Sequence, residues 1–404
     1  MKTKPFHKKL FEKIVEGILA LSGSITTLAV LLIVVFLFKE GLGLFNRSPI
    51  AEGFVLVVNK NNPITKIDAK LVKQIFDQEI TNWEKVGGKR DSIILFHLED
   101  INSIYTEVQI GENLENLPNL ISNVVDSIGG IVAFVPKSYI KSDFKGRVIE
   151  PVNISPKEFL LGKEWYPTAE PSAQMGILPI LLGTLWVSLG AILLSLPLGL
   201  AVAIYMAEIA NPRIRNLLKP IIEILAGIPS VIYGFFGLVV IVPLIQSVFN
   251  LPVGETALAG SIILAIMALP TIITIAEDSI RTTPRSMKEA SLALGASRWQ
   301  TIYRIVIPYS ISGITAAAIL GIGRAIGETM AVLMVTGNAA VMPHSFLEPI
   351  RTIPATIAAE LGESPKDGLH YQALFILGSI LFIMTLIINL TVEYISSRNK
   401  LGKR

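Results

Sequence analysis

The chain contains no cysteine. That excludes disulfides, thiolate metal sites and cysteine nucleophiles, and leaves the compartment open. Histidine is almost as scarce: His7, His97, His344 and His370 are the only four, and none stand at metal-ligand spacing. Charge is thin as well. Only 17% of the 404 residues are Asp, Glu, Lys or Arg, against about 25% in an ordinary soluble chain. The net charge of +3 is too small to imply nucleic acid. No GxxxxGK[ST] loop occurs, so the chain carries no ATPase of its own. The string GIGRAIG (321–327) spaces its glycines wrongly for a dinucleotide fingerprint and lies in an apolar run rather than after a strand. There is no Ser/His/Asp set, no paired carboxylates in a soluble stretch and no metal cluster, so neither an enzyme nor a cofactor is expected.

What is abundant is hydrophobic sequence, 51% of the residues. Runs near 20 apolar residues indicate an all-α polytopic membrane protein. Six spans are expected, at about 14–38, 172–209, 220–247, 256–277, 310–336 and 371–395. The first follows Lys2, Lys4, Lys8, Lys9 and Lys13; it is too long for a signal peptide and lacks a clean cleavage site, so it reads as a retained span. In the second, Pro179, Pro197 and Gly199 suggest an interfacial piece followed by the crossing. Six spans place every short basic segment on one side. These are the N-terminus, the loop with Arg213, Arg215 and Lys219, the loop 281–308, and the tail with Arg398, Lys400, Lys403 and Arg404. Positive charge marks the cytoplasmic side. The expectation is therefore a multi-pass membrane protein with both termini cytoplasmic and residues 47–168 extracytoplasmic.

Residues 47–168 differ in texture. Charges recur and apolar runs shorten to strand length at 54–58, 92–96 and 130–135, with helical patterning at 68–77 and a turn at Gly87-Gly88. This is an α/β soluble insert between the first and second spans. The expected organisation is 1–46 (N-terminal segment and first span), 47–168 (insert) and 169–404 (five-span core).

The fifth span carries Arg324 and Glu328. A charge at mid-membrane costs at least ~2.5–3.5 kcal/mol and is a functional candidate by default. At a spacing of four the two residues share one helical face. A guanidinium offers a fork of donors suited to an oxyanion, and a carboxylate one turn on can hold it when substrate is absent. A structural ion pair between helices is the bland alternative. Gly321, Gly323 and Gly327 leave the surrounding faces bare for a neighbouring helix or for substrate. Glu223, early in the third span, is a further acid, best read as interfacial. Pro229-Ser230 is expected to break or kink that span.

Residues 289–308 match the cytoplasmic signature of ABC-importer permeases, EAA-x3-G-x9-I-x-LP, through Glu289, Ala290, Ser291, Gly295, Ile305, Ile307 and Pro308. Ser291 and Ile307 are mild departures. The strings 176–208, 223–238 and 321–338 resemble phosphate-specific importer permeases of the PstC type, which have the type I permease fold. That resemblance implies that residues 289–308 dock in a groove of an ATP-binding subunit dimer (PstB-like). It implies Arg324 and Glu328 on the phosphate path, a second permease subunit (PstA-like) and an extracytoplasmic phosphate-binding protein (PstS-like), in contact with membrane lipid. The residues alone say only "anion". A permease for another oxyanion, or a stand-alone channel or secondary transporter, stays open on that ground. The string 62–96, with 130–139, resembles one lobe of the phosphate-binding protein. Where that family places a Ser-Gly-Thr phosphate loop, this chain reads HLEDINSIYTEV (97–108), without the glycine and with Glu99 and Asp100. The insert is therefore expected to dock or gate rather than to bind phosphate.

Overall fold

A computed structural model describes residues 6–111 and 114–401, the side chains of 6–12 and 395–401 excepted. The outermost residues of both basic termini thus lie outside the described residues. Among those described, six helices are long and apolar enough to span a membrane.

Helix α1 (Phe6–Leu42) leads into the insert. There, five strands form one sheet: β1 (Phe54–Val58), β2 (Lys66–Ile67), β3 (Ile94–Phe96), β4 (Ile131–Pro136) and β5 (Arg147–Pro151), in the order β2-β5-β1-β4-β3. β1 runs antiparallel to both β4 and β5, while β3–β4 and β2–β5 are parallel. Side chains alternate across the sheet. Leu56, Val58 and Val132 pack with Val72, Ile75 and Trp83 under helix α2 (Ala69–Phe76). Val57, Ala133 and Val135 pack with Ile121 and Val125 of helix α3 (Leu117–Ser127). Asp68 starts α2 by accepting from Leu71 N at 2.7 Å, the N-cap bond its side chain is built for. The insert is thus an α/β unit with a core on each face of its sheet.

A short hairpin, β6 (Trp165–Tyr166) with β7 (Gln174–Met175), follows. It pairs residues on both sides of position 168, so strand pairing bridges the boundary expected there. Its side chains and Phe159 before it seat the insert on the core: Phe159, Trp165, Ala173 and Met175 form one apolar cluster with Leu44, Ile177, Ile180, Ile353, Ala373 and Leu377.

Helix α4 (Leu178–Ile209) is continuous. Pro179 sits in its first turn, where a missing N–H costs nothing, so the interfacial piece expected before the crossing does not form. The helix ends in a π turn, Tyr205–Ile209. The basic stretch after it is not a loop. Asn211 accepts from Ile214 N at 2.9 Å with Pro212 in the first turn, and helix α5 (Pro212–Ala226) forms. The third span consequently starts later than expected, as α6 (Ser230–Phe249). Between α5 and α6 the chain breaks at Gly227–Pro229, and Tyr233 Oη closes the break by donating to Leu225 O at 2.8 Å.

Helix α7 (Ala257–Arg281) is the centre of the core. Its Ile263, Leu264 and Met267 pack with Val187 and Ala191 of α4 and Tyr233 and Val242 of α6. Close approach is bought by small residues: an added Cβ at Gly190 would sit 2.4 Å from Ser261 Oγ, and one at Gly199 2.7 Å from Ile272. Helix α8 (Arg285–Ala293) and helix α9 (Arg298–Gly327) follow, then α10 (Met330–Val335), α11 (Ile353–Glu360) and α12 (Leu369–Leu401). Ala325 of α9 and Val332 and Val335 of α10 complete the central cluster. Helix α1 lies at the periphery, touching α12 near its end through Phe36–Phe375 (centroids 5.5 Å apart) and Gly41 against Ile376. Its remaining apolar surface is exposed, as a lipid-facing or subunit-facing helix requires. Alternation of six spans sets the insert at one end of the core and α5, α8 and the start of α9 at the other.

Candidate functional site

Arg324 lies in the last turn of α9, half-buried, with its guanidinium Nη1 donating to Thr271 Oγ1 of α7 at 3.3 Å. Pro270 precedes Thr271 inside α7. Proline removes one helical hydrogen bond, so the guanidinium approaches α7 where its backbone ladder is already interrupted. Glu328 does not share Arg324's helical face. α9 ends at Gly327, and Glu328 adopts extended backbone (φ −72°, ψ 131°). Its carboxylate turns to the next helix, accepting from Ala331 N at 3.4 Å. No ion pair joins Arg324 to Glu328 among the described residues. The expected carboxylate holder of the guanidinium is replaced by a neutral hydroxyl, because the helix stops between the two charges and the four-residue spacing loses its meaning.

The three glycines divide. Gly321 is buried against Ile272, where an added Cβ would come within 2.9 Å, so a neighbouring helix of the same chain fills that face. Gly323 and Gly327 meet nothing within 4 Å. The face near Arg324 is therefore open in the single chain. Glu223 is exposed on α5, outside the third span.

At the opposite end, α8 and the start of α9 form a hairpin around Gly295 (φ +86°), a backbone region that favours glycine. Ser297 caps α9, accepting from Gln300 N at 3.2 Å while Gln300 Oε1 accepts from Ser297 N at 2.8 Å. Ser291, where the signature has alanine, bonds Thr301 across the hairpin at 3.0 Å; the departure stiffens the turn. Glu289, Ala290, Leu294 and Trp299 are exposed, whereas Ile305 and Pro308 are half-buried in the transition to the span. Leu294 is 89% exposed, an unusual place for leucine in a single chain. The π turn Ile302–Val306 joins the hairpin to the membrane part of α9.

Three carboxylates that sequence reasoning passed over organise the rest. Glu208, in the π turn of α4, takes Lys288 of α8 in a close ion pair. Glu277 of α7, buried, takes Arg215, Lys219 and Arg281. Glu360 of α11 accepts from Arg351 Nη1 at 2.6 Å, Trp165 Nε1 at 3.0 Å and lies 2.9 Å from His370 Nε2. It thereby joins the hairpin under the insert to α12. Burial pushes the Glu360 carboxyl up, but the donors His370 and Trp165 and the Arg351 charge outweigh burial and hold it below the ordinary carboxylate range.

In the insert, the segment that begins at His97 caps itself. Asp100 Oδ2 accepts from His97 N at 2.7 Å, so a backbone donor an anion would need is already taken.

Residues 196–401 match the sequence profile described as binding-protein-dependent transport system inner membrane component, and residues 38–116 match the PBP superfamily domain. The probable ABC transporter permease protein YqgH of Bacillus subtilis is 40% identical over 247 residues, covering 61% of this chain and 80% of that protein. The phosphate transport system permease protein PstC of Mesorhizobium japonicum is 38% identical over 259 residues, covering 59% of this chain and 78% of that one. PstC 1 of Mycobacterium tuberculosis is 31% identical over 304 residues, covering 66% and 90%.

Proposed function

We infer, since the chain belongs to the family of binding-protein-dependent transport system inner membrane components, that it is the membrane-spanning permease subunit of an ATP-driven phosphate importer. It forms half of the translocation pathway and hydrolyses nothing itself. The observation that carries this reading is a guanidinium set at a helix break inside a chain resembling PstC permeases from several bacteria. A second, PstA-like permease would cover the open face beside Gly323 and Gly327. A PstB-like ATPase dimer would receive the Gly295 hairpin, whose exposed Leu294 and Trp299 gain by burial. A PstS-like binding protein would deliver phosphate at the insert side. The positive-inside rule, applied to the basic residues of α5, α8 and the start of α9, supports a cytoplasmic position for that end and an extracytoplasmic one for residues 47–168.

At the site, Thr271 holds the Arg324 fork when no anion is present. An oxyanion replaces the hydroxyl by a charge-assisted pair. Glu328, at the break, keeps the local field from holding a dianion too tightly, as passage requires. The insert, seated on the core through residues 152–177 and self-capped at His97, serves as a docking platform for the binding protein rather than as a binding lobe.

The test is ATP-driven uptake of labelled phosphate in vesicles holding the whole complex, with sulfate as the competing oxyanion. Phosphate is expected to accumulate; sulfate accumulating in its place would overturn the substrate assignment. Gly295→Val serves as the paired variant. There is space for the side chain, but a positive φ costs a β-branched residue about 1–2 kcal/mol. The hairpin is expected to reshape and the ATPase subunit to be lost from the purified complex.

A further inference from the structure

The charge cluster on α5 and α7 belongs neither to the Arg324 site nor to the Gly295 hairpin, yet it stands between them. Glu277 is 1% exposed. Arg215 Nε lies 2.7 Å from its Oε1, Lys219 Nζ 3.3 Å from its Oε2 and Arg281 Nη1 3.5 Å from its Oε1, while Lys219 also reaches Asp278 at 3.1 Å. A buried ion cluster gives little net stability over well-packed apolar residues of the same volume, but removing one partner is strongly unfavourable. Its distinctive contribution is therefore geometry. Two of the three cations that meet Glu277 come from α5, so α5 is pinned to the end of α7.

The position of α5 gives that pin a consequence. Its Ile222 packs with Met206 in the π turn of α4 and with Ile273 of α7. Two residues beyond Met206, Glu208 holds Lys288 of the hairpin helix α8. At its far end α5 is tied across the Pro229 break to α6 by Tyr233 and Leu225. One residue on, Gly234 abuts α10, where an added Cβ would come within 2.9 Å of Ala331 Cα. Ala331 is the residue whose N–H meets Glu328. A continuous run of packed elements thus leads from the hairpin, through α5, to the break that separates Arg324 from Glu328.

We propose that Glu277 is a positioning residue for coupled transport: by locking α5 to α7 it makes α5 a rigid lever between the Gly295 hairpin and the Arg324–Glu328 break. The inference rests on the reading of that hairpin as the ATPase-docking segment. Spatial continuity alone does not establish coupling, so the decisive readout is phosphate moved per ATP hydrolysed by the reconstituted complex.

In Glu277→Gln the ATPase subunit should still co-purify and hydrolysis should continue, while phosphate per ATP falls about tenfold. The double variant Arg215→Gln with Lys219→Gln, which leaves the buried carboxyl in place and cuts its ties to α5, should show the same fall. A parental ratio in Glu277→Gln, with only a lowered thermal midpoint, would overturn the inference. If Glu277→Gln does not assemble, a parental ratio in the double variant overturns it instead. Absence of the ATPase subunit from the unmodified complex would remove the docking reading and the inference with it.

Discussion

Arg324→Gln is expected to cut phosphate uptake by about a hundredfold, the cost of losing a charged hydrogen-bonding partner for an anion, while the complex stays assembled. Assembly should survive because Gln is cheaper than Arg at membrane depth and because the Arg324 guanidinium makes a single side-chain hydrogen bond among the described residues, to Thr271 at 3.3 Å. Arg324→Lys should fall between the two. It keeps the charge, but replaces a planar fork with a compact ammonium that cannot grip two oxygens at once. Uptake in vesicles, with the amount of ATPase subunit co-purified as the assembly control, separates a transport defect from a folding one. Full uptake by Arg324→Gln would remove Arg324 from the path.

The second large effect is expected at the junction of insert and core. Glu360→Ala leaves Arg351, 19% exposed, and the Trp165 N–H without their shared acceptor. Breaking a buried pair in this way costs about 3–5 kcal/mol, and this partly exposed pair is expected at or below the low end of that range. The loss should appear as a lower thermal midpoint and as new protease cleavage in the segment 152–177 that seats the insert. The same group gives a pH dependence of fixed sign. Its carboxyl is held below the ordinary range in the folded protein. It therefore contributes stability that is present above the unfolded-state value and lost as pH falls through the lowered folded-state value, on the acid side of the ordinary glutamate range. Acid should open the parent's junction, whereas Glu360→Ala should be open already at neutral pH and insensitive to that titration. Equal protease resistance of the two at neutral pH would show that the insert is held by its apolar seat alone.

Much of the architecture was legible because it is written in long-range repetition of one residue class. Six apolar runs gave six spans, and short apolar runs at 54–58, 92–96 and 130–135 gave β1, β3 and β4. Helical patterning at 68–77 gave α2. β5 escaped notice because Arg147–Pro151 offers a single buried residue, Ile149, beside a glutamate and a proline. Helix α5 was misread as a loop through its basic residues, although Asn211-Pro212 is an N-cap followed by a first-turn proline. The break after Gly327 left a weaker mark: no proline follows, and after Glu328-Thr329 the apolar residues resume and run through Val335. That break also undid the same-face argument for Arg324 and Glu328, since spacing along a chain becomes spacing in space only while the helix lasts. Glu208, Glu277 and Glu360 were passed over for a different reason. Each has a partner far along the chain, 80, 62 and 195 residues away in Lys288, Arg215 and Trp165, and burial of a charge is decided by such partners. For Glu208 and Glu277 a signal existed, since an acid at the end of an apolar span is itself a candidate.

The central claim is that Arg324 faces a water-filled passage between subunits rather than lipid. Because the chain has no cysteine, one thiol can be placed beside it unambiguously. Gly327, one turn on from Arg324 and with open space around an added Cβ, is the position to use, in a complex whose other subunits have been made free of cysteine. A membrane-impermeant, charged thiol reagent should modify Gly327→Cys, and phosphate with ATP should change the rate of modification. Reaction with a lipid-soluble reagent alone, indifferent to phosphate, would contradict the account.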